Sequence, residues 1–314
     1  MGGGFKYSEE RYKSLSADRG YDKKSAGELF VNTKISHKSS ADSLNIKART
    51  KNTSGVKDYM LSIGVRECRD TKEHPHTTPI GVITDVTGSM RDTPYKFVKN
   101  YFPKLMGKIG QAGIQDPELL FMAVGDHVYD SYPIQIGQFE TDTEKILDQL
   151  QDFVLEGGGG PNNGESYLLG WIIAGYHTEI DSYYKRGRKG FLFTIGDEPC
   201  LPAISGDALK KFLKYQGDPE PITAKEAYEK ASEQYNIYHI HITDTGRPFE
   251  RVRKGWTEIV GQNLLTTTSD KVADLIAETI REHYVPEEDT TTTTENVVEN
   301  PVEEKPTETD DLML

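Results

Sequence analysis

Cysteine is scarce in this chain, since Cys68 and Cys200 are the only two among 314 residues. They lack C-x-x-C spacing, which excludes a disulfide framework and a cysteine zinc site and indicates ordinary reduced thiols. Long hydrophobic runs are also missing, because no stretch approaches the roughly 18 apolar residues of a membrane span. The first residues contain no apolar signal core. We therefore expect a cytoplasmic protein without a membrane anchor.

Signatures of common enzyme classes are absent as well. The glycine-rich stretch at residues 157–160 is not followed by Lys-Ser or Lys-Thr, so a phosphate-binding P-loop is excluded. No Ser-His-Asp ordering and no reactive cysteine setting stand out. The sequence thus predicts a protein that is not an enzyme.

Charge is unevenly distributed along the chain, which carries 50 Asp and Glu against 37 Lys and Arg, a net charge of −13. Residues 286–314 hold ten acids and one lysine, and we predict a disordered acidic tail there. Residues 1–77 carry an excess of five basic side chains and are predicted to be a partly flexible N-terminal extension. Basic and acidic residues are interleaved in this extension, which argues against a nucleic-acid partner. Residues 78–285 remain as the folded domain.

A carboxylate and two hydroxyls follow the apolar run at residues 79–84. Asp85, Thr87 and Ser89 are spaced two residues apart, so a tight turn aims three oxygens at one point. Hard divalent cations require such oxygen ligands. One alternative stays open: Thr87 or Ser89 caps a helix that begins near Pro94.

A second apolar run, at residues 190–196, ends at Asp197. Apolar strands alternate with helical patterns between residues 79 and 285, which predicts an α/β fold: a Rossmann-like, doubly wound, mostly parallel sheet with helices on both faces. Ligands bind such sheets beyond the carboxyl ends of the strands, where Asp85 and Asp197 are expected. The glycine-rich loop between them carries amides, a carboxylate and a hydroxyl that add further oxygen donors.

Local patterns predict several individual elements. The helix after Pro94 has an apolar stripe, and Pro103 predicts a kink in it. The last helix is predicted over residues 270–284, with Ser269 as its cap. His239 and His241 alternate along one strand and are interpreted as hydrogen-bonded sheet histidines rather than metal ligands.

The motifs Asp-Val-Thr-Gly-Ser-Met, the glycine loop and Ile-Gly-Asp-Glu-Pro, in this order, resemble a von Willebrand factor A (vWA) domain with a metal-ion-dependent adhesion site (MIDAS). The resemblance covers roughly residues 78–285 and extends to vWA-like proteins of bacteria and their phages. It implies four ligands: Asp85, Thr87, Ser89 and Asp197. The family usually supplies a threonine from the second loop, and this loop has none. Its substitute is a water or one of Asn162, Asn163, Glu165 and Ser166.

Two acids are predicted to lie behind these ligands, namely Asp126 and Glu198. A loop-capping role explains Asp126 equally well. In the expected cytoplasmic setting the ion is predicted to be Mg²⁺, and the oxygen donors also suit Mn²⁺ and Ca²⁺. The resemblance implies a cation-dependent adaptor or adhesion-type module that captures an acidic residue of a partner protein, with a MoxR-type AAA+ ATPase as one such partner, in a bacterial or phage-infected cell.

Two other functions remain open. In the first, the chain would be a structural or assembly component of a phage or bacterial complex, and the metal would only stabilise the fold. Alternatively, it is a metal-assisted hydrolase with Glu198 or Glu165 as base. The sequence shows no second metal position and no substrate pocket, which favours the binding module.

Overall fold

The computed structural model describes six stretches of the chain: residues 7–24, 29–30, 63–90, 93–155, 161–162 and 164–287. The chain divides into two units, residues 1–284 and 285–314, and the fold is that of the first unit. The glycine loop at residues 156–160, Asn163 and the tail from residue 288 onward lie outside the described residues. The flexibility expected for residues 1–77 stays a prediction.

The described residues contain ten strands. In chain order they are β1 (Arg66–Cys68), β2 (Thr78–Asp85), β3 (Pro117–Val124), β4 (Ile134–Ile136), β5 (Thr178–Ile180), β6 (Gly190–Gly196), β7 (Ala203–Ile204), β8 (Ile222–Thr223), β9 (Tyr235–Ile242) and β10 (Leu264–Thr267). Six of them form one sheet in the order β10-β9-β6-β2-β3-β4, and every neighbouring pair is parallel except β3 with β4. Numbered along the chain, this is the doubly wound order 3-2-1-4-5-6, whose winding direction reverses between β2 and β6.

Ten α-helices accompany these strands in the described residues. They are α1 (Glu9–Asp18), α2 (Thr93–Lys96), α3 (Phe102–Gln111), α4 (Thr143–Asp152), α5 (Tyr167–Tyr176), α6 (Asp181–Tyr184), α7 (Gly206–Leu213), α8 (Ala224–Ser232), α9 (Glu250–Val260) and α10 (Val272–His283). None of the helices among the described residues is long and apolar enough to cross a membrane.

Helices cover both faces of the six-stranded sheet. On β2, Ile80 and Val82 pack into a cluster with side chains of α1, α3, α4 and α10. Ile83 points to the other face and packs with side chains of α5, α7, α8 and α9. Because side chains alternate between the faces and neither face meets water, the strand is apolar throughout. The predicted α/β fold with a mostly parallel, helix-covered sheet is confirmed, and it is consistent with a vWA fold.

Several local predictions differ from the structure. Ser269 does not cap α10, which has no side-chain cap; its hydroxyl donates instead to Asp244 at 2.8 Å. A short 3₁₀ turn over Ser269–Lys271 precedes the helix. The sequence patterns also missed α9, β10 and the two-stranded sheets β1-β5 and β7-β8. The strands among them have two to four residues and depend on pairing with a neighbouring strand.

Helix α1 of the N-terminal region packs against α3, where Pro103 interrupts the hydrogen-bond pattern. Proline has no N–H to donate to the carbonyl of Lys99, four residues earlier. The hydroxyl of Tyr12 donates to that carbonyl at 2.7 Å. A π-helical turn over Phe97–Tyr101 absorbs the irregularity ahead of α3. The structure thus has a π-helical irregularity beside the proline at which a kink was predicted. The hydroxyl of Tyr12, distant in sequence, donates to the Lys99 carbonyl in place of the missing proline N–H.

At the amino ends of the strands, the partly buried Asp70 and the buried Asp181 are paired with bases. Asp70 accepts a hydrogen bond from the hydroxyl of Thr77 at 2.7 Å and forms an ion pair with Arg186. Asp181 forms ion pairs with Arg69 and with Lys185. Burial acts to raise the pKa of Asp181, but these partners and the amide of Asp70 hold it below its ordinary value. These charges compensate each other within the protein.

Candidate metal centre

The turn after β2 is folded back onto its own aspartate. Asp85 ends the strand, and its Oδ1 accepts hydrogen bonds from the Thr87 amide at 2.8 Å and the Thr87 hydroxyl at 2.6 Å. A short 3₁₀ turn, Gly88–Met90, then places Ser89 Oγ 3.4 Å from Thr87 Oγ1. The hydroxyls therefore belong to the Asp85 turn, and neither caps a helix in the described residues.

The parallel pairing of β2 with β6 brings the third loop to this turn. Thr84 lies opposite Ile195, so Asp85 and Asp197 emerge side by side from adjacent strands. The Ser89 hydroxyl donates to Asp197 Oδ1 at 2.7 Å. The structure thus gathers the four predicted ligands of the first and third loops at the point where the sheet reverses its winding.

The two aspartates are completely buried, and no described lysine or arginine forms an ion pair with either. Burial, and next the charge of Asp197, raises the pKa of Asp85 to about 7, although hydrogen bonds from Thr87 and Tyr167 oppose the rise. Asp197 Oδ2 has no hydrogen-bond partner among the described residues. A buried carboxylate pair of this kind is costly unless a cation approaches it.

Glu165 is the second-loop candidate that lies beside these acids. Its backbone forms a bridge to Cys200, with its amide donating to the Pro199 carbonyl at 2.9 Å, which ties the second loop to the third. Burial, and then the charge of Asp85, raises the pKa of Glu165 to about 10, while the Thr87 hydroxyl lowers it. Its Oε2 is buried without a partner in the described part of the chain.

The other second-loop candidates lie elsewhere or are not described. Ser166 Oγ accepts a hydrogen bond from the His127 amide at 2.8 Å and lies 2.7 Å from His127 Nδ1. It thus fastens the loop after β3 rather than facing Asp85. Asn162 is exposed to solvent, and Asn163 is outside the described residues.

The two acids predicted behind the ligands have different surroundings. Asp126 Oδ1 caps its own turn by accepting from the Val128 amide at 2.8 Å, while its buried Oδ2 has no partner among the described residues. Its charge also contributes to the raised pKa of Glu165. Glu198 forms an ion pair with Arg247 at 2.5 Å, and its carbonyl accepts from Trp256 Nε1 at 3.1 Å.

Sequence patterns missed Tyr167, whose hydroxyl donates to Asp85 Oδ2 at 3.0 Å. This tyrosine opens α5, 82 residues further along the chain, and no local spacing links the two residues. A glycine at position 196 makes the contact feasible, because a Cβ there would lie 1.7 Å from the tyrosine hydroxyl. A small residue at the end of an apolar strand was the one signal of a close approach.

Two buried histidines lie beneath the acids on β9. His239 Nδ1 contacts Thr194 Oγ1 at 2.9 Å, and its ring stacks on Trp256. Its Nε2 and both ring nitrogens of His241 have no hydrogen-bond partner among the described residues. The interpretation of both as hydrogen-bonded sheet histidines is therefore correct for Nδ1 of His239 and wrong for His241. Burial lowers the pKa of both, which keeps the rings neutral.

The site around Asp85 does not lie in the 640 Å³ cleft, and it is not a cluster of His, Cys, Asp and Glu ligands alone. A cleft of about 640 Å³ lies between the start of α1 and α3 and shares no lining residue with the acids. Within the described stretches, no group of three or more His, Cys, Asp and Glu side chains is arranged to hold a metal ion. The candidate donor set instead combines carboxylates with the hydroxyls of Thr87 and Ser89, and buried uncompensated charge distinguishes it from the cleft.

No protein-family model and no curated protein matches this chain. Among solved structures, the pilus adhesin SpaC of Lactobacillus rhamnosus GG in its open conformation has a TM-score of 0.44 at 10% identity and covers 70% of this chain. The match spans 31% of SpaC, about a third of its length. The vWF domain of the type V pilus tip protein Mfa5 from Porphyromonas gingivalis has a TM-score of 0.43 at 11% identity, covering 73% of this chain and 100% of that domain.

A third solved structure, proximal thread matrix protein 1 of the mussel byssus, has a TM-score of 0.41 at 13% identity, with 69% of this chain and 49% of that protein covered. At such identities the likeness concerns the fold alone. The order and direction of the six strands carry the fold assignment, and the geometry around Asp85 carries the functional argument.

Proposed function

We propose that this chain is a protein-binding module of the adhesion or adaptor type whose recognition depends on a divalent cation. The observation that carries the proposal is the convergence of oxygen donors from three loops at the switch point of the sheet. The proposed ligands are Asp85, Thr87, Ser89, Glu165 and Asp197.

The donors fit a hard cation. Carboxylate and hydroxyl oxygens suit Mg²⁺, and also Mn²⁺ and Ca²⁺. Two of the carboxylate oxygens, Asp197 Oδ2 and Glu165 Oε2, are buried without a partner among the described residues, which supports a cation there. When bound, the cation supplies a coordination position for a carboxylate of the partner protein.

The surrounding residues hold the donors in place. Tyr167 fixes the carboxylate plane of Asp85 through Oδ2, and Thr87 does so through Oδ1. Ser89 joins the first loop to the third through Asp197. These hydrogen bonds preorganise the site, so that little side-chain ordering remains when a partner binds.

A hydrolytic function has less support. Glu198, one of the two proposed bases, forms an ion pair with Arg247. Glu165, the other, lies among the proposed ligands, so neither carboxylate is positioned as an independent base. We therefore propose a module that binds and does not catalyse.

The partner is proposed to be a cytoplasmic protein that presents an Asp or Glu side chain, and a MoxR-type AAA+ ATPase is one candidate. The alternative of a purely structural assembly component makes a different prediction. Partner capture would then survive Asp85→Ala in folded protein, whereas the cation-dependent module loses it.

The first test is calorimetric titration of Mg²⁺, and then of Mn²⁺, into chelator-treated full-length protein. We expect saturable binding that Asp85→Ala abolishes and Glu165→Gln weakens, because both remove proposed ligands. Asn162→Ala should leave the affinity unchanged, because its side chain is exposed. Circular dichroism would establish that each variant is folded.

A matched control is Asp218→Ala, which removes an aspartate whose side chain is 99% exposed. Equal Mg²⁺ binding by Asp85→Ala and Asp218→Ala would show that the ion binds elsewhere. Absence of binding to the parent protein in both titrations would overturn the proposal.

A further inference from the structure

Two arginines lie beside the candidate metal centre, and the proposed function leaves them unexplained. Arg247 follows β9, and Arg251 lies in the first turn of α9. They line a small cavity of about 80 Å³ together with Glu198, which directly follows Asp197 in the third loop. The cavity therefore adjoins the acids at the same edge of the sheet.

The fold fixes the position of this arginine pair. Strands β6 and β9 are parallel neighbours, with Gly196 opposite His241, so the loops that leave them emerge side by side. Trp256 of α9 donates from Nε1 to the carbonyl of Glu198 at 3.1 Å, which fastens the helix to the third loop. Arg251, one turn earlier on that helix, is thus held next to the loop that carries Asp197.

Charge in the cavity is unbalanced in favour of the arginines. Arg247 pairs with Glu198, whose side chain is only 7% exposed. Arg251 is exposed, forms no ion pair with any described residue, and lines the same cavity as Glu198 and Arg247. One carboxylate thus faces two guanidinium groups, and a second carboxylate would balance them.

The chemistry and size of the cavity favour a side-chain carboxylate as the ligand. A guanidinium group presents parallel N–H donors that match the two oxygens of a carboxylate. The cavity of about 80 Å³ is small but admits a carboxyl group.

We propose that Arg251, supported by Arg247, binds a second carboxylate of the same partner, so that the module recognises a protein segment with two acidic residues rather than one. This inference rests on the proposed function, because the first acidic residue is the one captured at the metal centre. The arginines also provide a local positive charge on a chain whose net charge is −13. They attract an acidic segment that the chain as a whole repels.

Labelled synthetic peptides test the proposal directly. The probes are twelve-residue Gly-Ser peptides with one Asp, or with a second Asp placed one to four residues away. A peptide with its second Asp eight residues away matches the net charge without the spacing. Fluorescence anisotropy with the full-length protein in Mg²⁺ should show about 5-fold tighter binding for the best close spacing than for one Asp, as expected for one exposed ion pair.

Variants on α9 separate the arginine from general charge. Arg251→Gln should remove the gain from the second Asp while leaving the one-Asp peptide unaffected. Arg253→Gln is the matched control on the same helix, because Arg253 is exposed and paired with Glu250. It should retain the full gain.

The outcomes distinguish this inference from the proposed function. Mg²⁺-dependent binding of the one-Asp peptide without any gain from a second Asp, or equal weakening of all peptides by Arg251→Gln, would overturn only the arginine proposal. Tighter binding of a phosphoserine peptide than of every two-Asp peptide would also overturn it, because phosphate would then be the ligand. Binding of no peptide, or peptide binding indifferent to Mg²⁺ and to Asp85→Ala, would overturn both.

Discussion

The two ends of the central sheet differ in how far the charges of their acids are compensated by bases. At the amino ends, Asp70 faces Arg186, and Asp181 faces Arg69 and Lys185. At the carboxyl ends, Glu198 is paired with Arg247, but no described lysine or arginine forms an ion pair with the four buried acids Asp85, Asp126, Glu165 and Asp197.

The pKa values follow this difference. Ion pairs and hydrogen bonds hold the pKa of Asp181 below its ordinary value, whereas burial raises that of Asp85 to about 7. One end neutralises its charges internally, whereas Asp85, Asp126, Glu165 and Asp197 at the other end have no ion-pair partner among the described residues. Uncompensated acids of this kind are typical of sites that trade stability for binding.

The largest expected loss of stability comes from the compensated end. Asp70→Asn removes the charge that faces Arg186, and losing the acid of a largely desolvated ion pair is costly. We expect the free energy of unfolding to fall by about 3 kcal/mol, as for other broken ion pairs of low exposure. Urea denaturation would measure the loss, and calorimetry should find unchanged Mg²⁺ affinity. Unchanged stability of Asp70→Asn would contradict the view that ion pairs stabilise the acids at the amino ends of the strands.

An Asp→Asn substitution at the carboxyl end of the sheet, at Asp85, should raise the free energy of unfolding rather than lower it. In metal-free wild-type protein, Asp85 has a pKa of about 7 in the folded state against an ordinary 3.8, so the folded state retains a proton that the unfolded state releases. The stability of the wild type should therefore fall as the pH rises from about 4 to about 7. Each pKa unit corresponds to about 1.4 kcal/mol.

Asp85→Asn removes this charge while Tyr167 keeps a hydrogen-bond partner, because a tyrosine hydroxyl can also accept. In chelator at pH 7.5, we expect a gain on the order of 2 kcal/mol in the free energy of unfolding, which vanishes at pH 4. With Mg²⁺ added, the wild type should gain stability and the variant should not. Asp218→Asn, at a fully exposed site, is the control and should show neither effect. A destabilised Asp85→Asn in chelator would contradict the comparison.

The smallest expected effect concerns α1, which packs on the body of the domain. Tyr12→Phe leaves the Lys99 carbonyl, already deprived of a donor at Pro103, without the tyrosine hydroxyl. We expect a loss of about 1 kcal/mol, measured by thermal or urea unfolding, with Mg²⁺ affinity unchanged. The matched control is Tyr95→Phe. The hydroxyl of Tyr95 donates to the Lys24 carbonyl at an exposed position, so its removal should lower the free energy of unfolding less. Equal losses of stability in both variants would argue against a special role for the Lys99 carbonyl, which lacks an N–H donor at Pro103.

Much of the fold was predictable because its central strands are buried on both faces. The apolar runs that end at Asp85 and Asp197 predicted both strands and their acids, and the alternating pattern predicted β9. Short elements such as β1 and β10 were not predictable, because their pairing with β5 and β9 stabilises them. Ser269 shows the limit of local signals, since its capping pattern lost to a contact with Asp244.

In the candidate site, too, residues close together in sequence were predictable and residues joined by tertiary contacts were not. The spacing of Asp85, Thr87 and Ser89 is local, and the geometry of a tight turn makes it readable from sequence. The sequence left four second-loop candidates, and the bridge between Glu165 and Cys200 distinguishes Glu165 from the described alternatives. For Tyr167 the sequence offered only the small residue Gly196, which does not identify the residue that approaches it.

The sequence alone determined the alternation of strands and helices and the oxygen-rich turn after β2, because periodicity and residue spacing act over a few residues. Only the tertiary structure decided that Asp197 and Glu165 join that turn, that Arg251 lies beside it, and that Arg69, Lys185 and Arg186 pair with acids at the opposite end of the sheet. Burial and charge compensation depend on which distant segments pack together, and these are the quantities that turn a set of acids into either a structural network or a binding site.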